Sequence, residues 1–339
     1  TRIHTTVIDG GILSDHKGIN LKGGGLSAPA LTDVDRENIK LAAELGIDFL
    51  AVSFVRTGQD IIEARKLFEA AGGNGQIVAK IERTEAVENI DEIIAASDVI
   101  MVARGDLGVE MGSAGLTGIQ KKLIRKTRKA HKIVITATQM MESMIDNPIP
   151  TRAEVSDVAN AVIDGTDAVM LSGETAVGSH PNKAIKAMAE VCVGAEKYNI
   201  PYTPTARRGK EQFGRVDEAI AMATMYTANH LEVRAIIALT ESGSTPRWMS
   251  RVRSDIPIYA LTPHSGTSRR VALYRGVYPV EFEIDPINAT HLNRLYQDIS
   301  DRLLSNGRVE LGDLVIFTKG DRDGVSGRPN ALYILPITP

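Results

Sequence analysis

Five short apolar runs rich in β-branched residues, separated by stretches of helical spacing, constrain this chain more than any other feature. They lie at 47–54, 76–82, 98–103, 132–138 and 167–172. Their starts are roughly 20–35 residues apart, the length that a strand, a crossover helix and two turns require. Runs such as Ile133-Val-Ile135 suit strands buried on both faces. Helical patterns fall between and after them, at 33–45, 59–71, 85–96, 117–130, 151–164 and 181–197. Thr32-Asp33 supplies a cap for the first, and Pro181 suits the first turn of the last. The pattern predicts parallel βα units.

The polar residues gather at one end of these runs. Ile77-Val-Ala-Lys-Ile-Glu-Arg83 places Lys80 and Glu82 two residues apart, on one face of a strand. Asp106 follows the third run in Val102-Ala-Arg-Gly-Asp-Leu-Gly-Val-Glu110, and the fourth ends in Thr136-Ala-Thr138-Gln139. Polar groups at successive C-terminal strand ends are the active-site layout of a (β/α) barrel. A cation beside a carboxylate suits an anionic substrate together with a divalent metal.

Several motifs occur here in one order: Ala79-Lys-Ile-Glu82, Arg104-Gly-Asp-Leu-Gly-Val-Glu110, Ile135-Thr-Ala-Thr-Gln-Met140 and Asn147-Pro-Ile-Pro-Thr-Arg-Ala-Glu154. Asp157–Thr175 continues the series, ending in Met170-Leu-Ser-Gly-Glu-Thr175. Together they resemble the pyruvate kinases, nearly continuously from residue 20 to 339. The resemblance implies the C-terminal five βα units of a TIM (β/α)8 barrel, followed by an open α/β sandwich regulatory domain. The expected divisions are a β lid remnant at 1–19, a partial barrel at 20–200, a linker at 201–214 and an effector-binding domain at 215–339. Residues 1–19 read as short strands turning at Asp9-Gly-Gly11, and Thr1-Arg-Ile-His-Thr5 reads as the interior of a longer protein.

The resemblance also implies residue roles. Glu82 and Asp106 are expected to hold Mg2+ or Mn2+, consistent with the preference of Mg2+ for one or two carboxylates plus water and substrate oxygens. Lys80 is expected beside the transferring phosphoryl group, and Gly105 and Asp106 at the substrate carboxylate. Thr138 is expected near the enolate carbon, with Thr136 as the competing hydroxyl. Any K+ site belongs to parts of the family architecture that precede this sequence. Phosphoenolpyruvate and ADP/ATP are the expected substrates, in a cytoplasmic homotetramer. A metal-dependent aldolase or lyase acting on pyruvate enolate, or an inactive regulatory and oligomerising fragment, are the competing readings. The Arg104-Gly-Asp106 triplet is not an adhesion motif in this context, since it sits between a buried strand and catalytic-type residues.

A second alternation follows the basic, Pro-containing joint at 200–210, with strands expected at 234–240, 257–261, 277–281, 313–318 and 330–336. Helices are expected at 217–230, 246–253, 266–275 and 289–305. Thr240-Glu241-Ser242-Gly243-Ser244-Thr245 lies between a strand and a helix, where hydroxyls and backbone amides form a phosphate cradle. It lacks the spacing of a nucleotide P-loop. By the resemblance it is an allosteric pocket for a sugar monophosphate or AMP, completed by Arg328, with Arg247 as a second cation. The other reading is a simple Ser/Thr cap.

Composition excludes several classes. A net charge of −3 opposes a general nucleic-acid surface. No apolar run reaches the length of a membrane span. The single cysteine, Cys192, rules out an internal disulfide framework and suits a reducing compartment. The seven histidines show no metal-ligand spacing, and Met140-Met-Glu-Ser-Met144 reads as helix packing.

Overall fold

A computed structural model describes residues 4–12, 21–23, 25, 29–197, 213–252, 254–284, 291–320 and 330–338. Its first half is a five-stranded parallel sheet in consecutive order: β1 Phe49–Val52, β2 Gln76–Ile81, β3 Val99–Ala103, β4 Ile133–Ala137 and β5 Ala168–Met170. Each strand lies within the run expected for it. The sheet is open, with β1 and β5 each paired on one side.

The helices of this half are α1 Asp33–Glu44, α2 Gly58–Ala70, α3 Thr84–Glu88, α4 Ile90–Ala96, α5 Arg104–Met111, α6 Ser113–Lys129, α7 Arg152–Asp164, α8 Gly173–Ala176 and α9 Pro181–Lys197. One sheet face, carrying Ile77, Ala79, Ile81, Ile100, Val102 and Val134, packs on Ile39, Ile61, Phe68, Ile90, Ile93 and Leu123 of the helices. This alternation, in which every second strand residue serves the helical layer, leaves the other face to carry Lys80. Thr32 caps α1 in a reciprocal capping box with Asp35, and Thr151 does the same for α7 with Glu154.

Two expectations require correction, and one helix was not foreseen. The helix expected at 85–96 is two helices broken at Asn89, where φ −91° and ψ 18° leave the helical region. Arg104–Met111 is helical from the first residue after β3, although its two glycines disfavour helix. Residues 4–12 contain no strand, only a bend at 8–9.

The second half is a sheet in the order β10-β9-β6-β7-β8, with β6 Ala235–Leu239, β7 Ile258–Thr262, β8 Val277–Glu281, β9 Leu314–Lys319 and β10 Ala331–Pro336. All pairs are parallel except β10 with β9. Helices α10 Val216–His230, α11 Ser244–Ser250 and α12 Ser265–Val271 cover one face through Met225, Met249 and Val271. Helix α13, Leu292–Ser305, covers the other through Leu295, Ile299 and Leu303. The result is the expected α/β sandwich.

The two halves meet at the N-terminal ends of β1–β5. Arg251, at the end of α11, forms an ion pair with Asp167 beneath β5, both side chains almost fully buried. Its Nη1 also donates to the Lys132 carbonyl beneath β4 at 2.8 Å. Arg269 pairs with Asp48 beneath β1 at 2.6 Å, and Trp248 packs on His131 with ring centroids 4.4 Å apart. Val78, Val99 and Ile133 join the same core as α10 and α11. The C-terminal strand ends, where the polar residues lie, point away from this seam.

Candidate active site

The strand alternation predicted for Lys80 and Glu82 holds. Lys80 Nζ lies 2.7 Å from Glu82 Oε1, on a carboxylate only 2% exposed. Glu82 Oε2 accepts the Phe54 amide at 2.7 Å, and Lys80 Nζ donates to Ser53 Oγ at 2.7 Å. Ser53 and Phe54 follow β1, so two strand ends converge here. Phe54 has φ +54°, a conformation uncommon for a bulky residue, and the Arg83 guanidinium lies 5.6 Å from its ring centre. Ser53 was legible as the next same-face residue after Phe49 and Ala51; Phe54 carried no signal.

At the next two strand ends, β3 passes directly into α5 and β4 into a sharp turn. Thr138 and Gln139 have φ +67° and +53°. For β-branched Thr138 this conformation costs about 1–3 kcal/mol, so the surroundings must enforce it. Thr138 Oγ1 accepts the Gly105 amide at 2.8 Å and donates to the Ala137 carbonyl at 2.6 Å. Buried Arg104 donates from Nη2 to the carbonyls of Thr138 (2.8 Å) and Gln139 (2.9 Å), and its other edge pairs with Asp157. Thr136, the competing hydroxyl, is fully buried, and its Oγ1 donates to Thr166 Oγ1 at 3.0 Å.

Asp106 is half-buried in the first turn of α5, beside Gly105, where the helix N-terminus favours an anion. Lys80 with Glu82, and Gly105 with Thr138, are thus brought into direct contact. Glu174, after β5, is a further buried carboxylate that accepts the amides of Met141 (3.0 Å) and Ser172 (2.7 Å), tying the loops after β4 and β5. Arg104, Asp157 and Glu174 lay inside the quoted motifs, but only their partners reveal what they hold.

A divalent cation would meet oxygen donors from Glu82 and Asp106, and two hard carboxylates suit Mg2+ or Mn2+. Both Glu82 oxygens already have partners, so loading the ion requires Glu82 to share an oxygen with Lys80 or Phe54. Among the described residues no three His, Cys, Asp or Glu side chains form a metal cluster. Water and substrate must complete the coordination.

The Thr240–Thr245 loop is held by one internal hydrogen bond and by contacts to α10 and the start of α12. Thr240 Oγ1 accepts the Gly243 amide at 2.9 Å, Ser244 Oγ donates to Asp217 at 3.4 Å, and Thr245 is buried. Glu241 Oε2 lies 2.6 Å from His264 Nε2, and Thr267 Oγ1 donates to the Glu241 carbonyl. Burial raises the Asp217 carboxyl, but hydrogen bonds and charge from Arg215, with the Glu218 amide, hold it lower overall. Burial lowers the Lys132 ammonium at the seam, and the charge of Arg247 adds to this against the opposing charge of Asp98. Arg328 lies outside the described residues.

Comparison with known proteins identifies the family. Residues 1–185 match the family model for the pyruvate kinase barrel domain, and residues 218–335 that for the pyruvate kinase alpha/beta domain. The chain is 54% identical to a pyruvate kinase of Buchnera aphidicola subsp. Schizaphis graminum, over 99% of this chain and 70% of the relative. It is 53% identical to pyruvate kinase II of Salmonella typhimurium with the same coverages, and 45% identical to a pyruvate kinase of Geobacillus stearothermophilus over 99% of this chain and 57% of that one. By these matches along nearly its whole length, the chain belongs to the pyruvate kinase family of phosphotransferases.

Proposed function

We propose that the rim of β1–β4 carries phosphoryl transfer from phosphoenolpyruvate to ADP, giving pyruvate and ATP as in the last step of glycolysis. The observation that carries this reading is the Lys80–Glu82 pair, held by Ser53 and the Phe54 amide beside the Arg104–Asp106 turn. Phosphoryl transfer asks little covalent chemistry of a protein; it needs positioning and stabilisation of developing charge. Lys80 supplies a fixed ammonium for the transferring group. Glu82 and Asp106 would hold Mg2+ or Mn2+, which when bound neutralises phosphoryl oxygens. The N-terminus of α5, which begins at Arg104, suits the substrate carboxylate. Thr138 rests with its proton on the Ala137 carbonyl, so its role is to order a water that protonates the enolate rather than to act as an acid itself.

Lys80→Met tests the reading. Turnover to ATP should fall by about 10³-fold or more, the scale of losing a main charge-stabilising group. Exchange of pyruvate C3 hydrogens should persist in part, because Glu82, Asp106 and Thr138 remain. Near-normal ATP production by K80M would remove Lys80 from its role. The aldolase or lyase reading predicts C–C bond cleavage that survives without ADP. The fragment reading predicts phosphoenolpyruvate binding by the 339-residue chain without turnover.

Regulation belongs to the same reading: a sugar monophosphate or AMP binding at Thr240–Thr245 would raise phosphoenolpyruvate affinity, with a coupling of about 1–3 kcal/mol. Its support is the strand–loop–helix setting and α11, which runs from this loop to Arg251 at the seam. Calorimetric titration with glucose 6-phosphate and with AMP tests it. No heat, and no left shift of the substrate curve, would leave the loop a helix cap.

A further inference from the structure

Thr138 and Gln139 form the sharpest backbone departure at the site, two successive non-glycine residues with left-handed φ. Nothing in their own sequence favours that turn, so its cause must lie outside it. Arg104 supplies it: Nε and Nη2 both donate to the Thr138 carbonyl, at 3.2 and 2.8 Å, and Nη2 also reaches the Gln139 carbonyl at 2.9 Å. Nη1 donates to Asp157 and, at 3.4 Å, to Gln120 Oε1. The guanidinium is 5% exposed, and its whole hydrogen-bonding edge is engaged. The next residue, Gly105, holds the other end of Thr138 by donating its amide to Oγ1. One dipeptide therefore grips Thr138 twice, by carbonyl and by hydroxyl.

We propose that Arg104 is the positioning residue for enolate protonation, with Asp157 of α7 as its anchor. It fixes where the Thr138 hydroxyl sits, and hence where the ordered water delivers its proton to the enolate carbon. In that step an O–H bond of water breaks, a C–H bond forms, and solvent restores the proton. The rigid planar fork holds two adjacent carbonyls and a carboxylate in fixed directions from its edges; a lysine ammonium, a compact charge with three rotatable donors, fixes none of them. The inference rests on the proposed role of Thr138.

The test uses R104K, D157N, T138V and R104K/T138V in the intact enzyme, measuring C3 hydrogen exchange of pyruvate, steady-state ATP formation and phosphoenolpyruvate affinity. R104K should slow exchange by about 100-fold, the scale of a 1 Å misplacement, with phosphoenolpyruvate affinity unchanged. D157N, which keeps Arg104, should show a smaller loss of the same kind, and it carries the test if R104K does not fold. In the T138V background R104K should add nothing further. Multiplying losses in the double variant, or equal losses of exchange and affinity in R104K and D157N, would make Arg104 a structural residue and overturn the inference. Full exchange by T138V would instead sink the reading of Thr138 itself.

Discussion

Single residues show most directly which parts of this site could be read in advance. Lys80 and Glu82 were legible because strand alternation is a simple rule, and they meet at 2.7 Å. Thr138 was legible only through the family motif, since alternation alone favoured Thr136 equally and could not foresee a positive φ. Arg104 needed the fold, for its carbonyl and carboxylate partners are 34 to 53 residues away. Glu154 offers a residue-scale prediction. Burial raises its carboxyl, yet the hydroxyls and amides of Ser143 and Thr151 outweigh that and hold it below the usual carboxylate range. A depressed folded value means stabilisation that is present above the ordinary carboxylate pKa and lost as pH falls through the folded one. Glu154→Gln should therefore lower the urea midpoint at pH 7 and much less near pH 3. An equal loss at both values would show that the charge contributes nothing. Thr151→Ala, removing the matching cap, should cost about 1 kcal/mol in the same measurement.

Secondary elements were more legible than single contacts, with the physical exceptions concentrated near the chemistry. The ten strands among the described residues lie on the apolar runs, bounded by turn residues. Helix α5 was hidden because Gly105 and Gly108 mask a helix that starts with no linker after β3. The end of α7 allows a direct test of backbone chemistry. Gly165 has φ +97°, and a Cβ there would lie against the Arg128 guanidinium. That guanidinium in turn donates to the Arg251 carbonyl at 3.0 Å. Gly165→Ala should cost at least about 1 kcal/mol from the left-handed backbone alone, with more from the displaced arginine. Thermal unfolding would register it as a lower Tm, and an unchanged Tm would mean the turn relaxes freely.

At the scale of the whole molecule, the seam between the halves was beyond the reach of sequence, because Arg251 and Asp167 are 84 residues apart and lie in different halves. Asp167 also accepts the Val134 amide at 3.0 Å, so the pair joins α11 to the sheet backbone. Arg251→Met strands a buried carboxylate and should destabilise by about 3 kcal/mol. Calorimetry should then resolve two transitions in place of one; a single transition at the original temperature would show that apolar packing alone holds the seam. Subunit contacts are a further expectation. Ile149 before α7, Val177 just after α8, and Ile185 and Val193 on α9 are exposed, and as a homotetramer the protein would bury such residues. Light scattering giving only monomer at micromolar concentration would contradict that assembly.

The parallel sheet separates a polar rim from a sealed foot by the length of its strands. β4 is five residues long and buried throughout, about 17 Å from end to end. An uncharged perturbation at the foot can therefore reach the rim only as displacement. A small molecule wedged beside Trp248 and His131 should act like a shim under a tool bed. It would change substrate alignment and KM while leaving the apparent affinity for Mg2+ where it was.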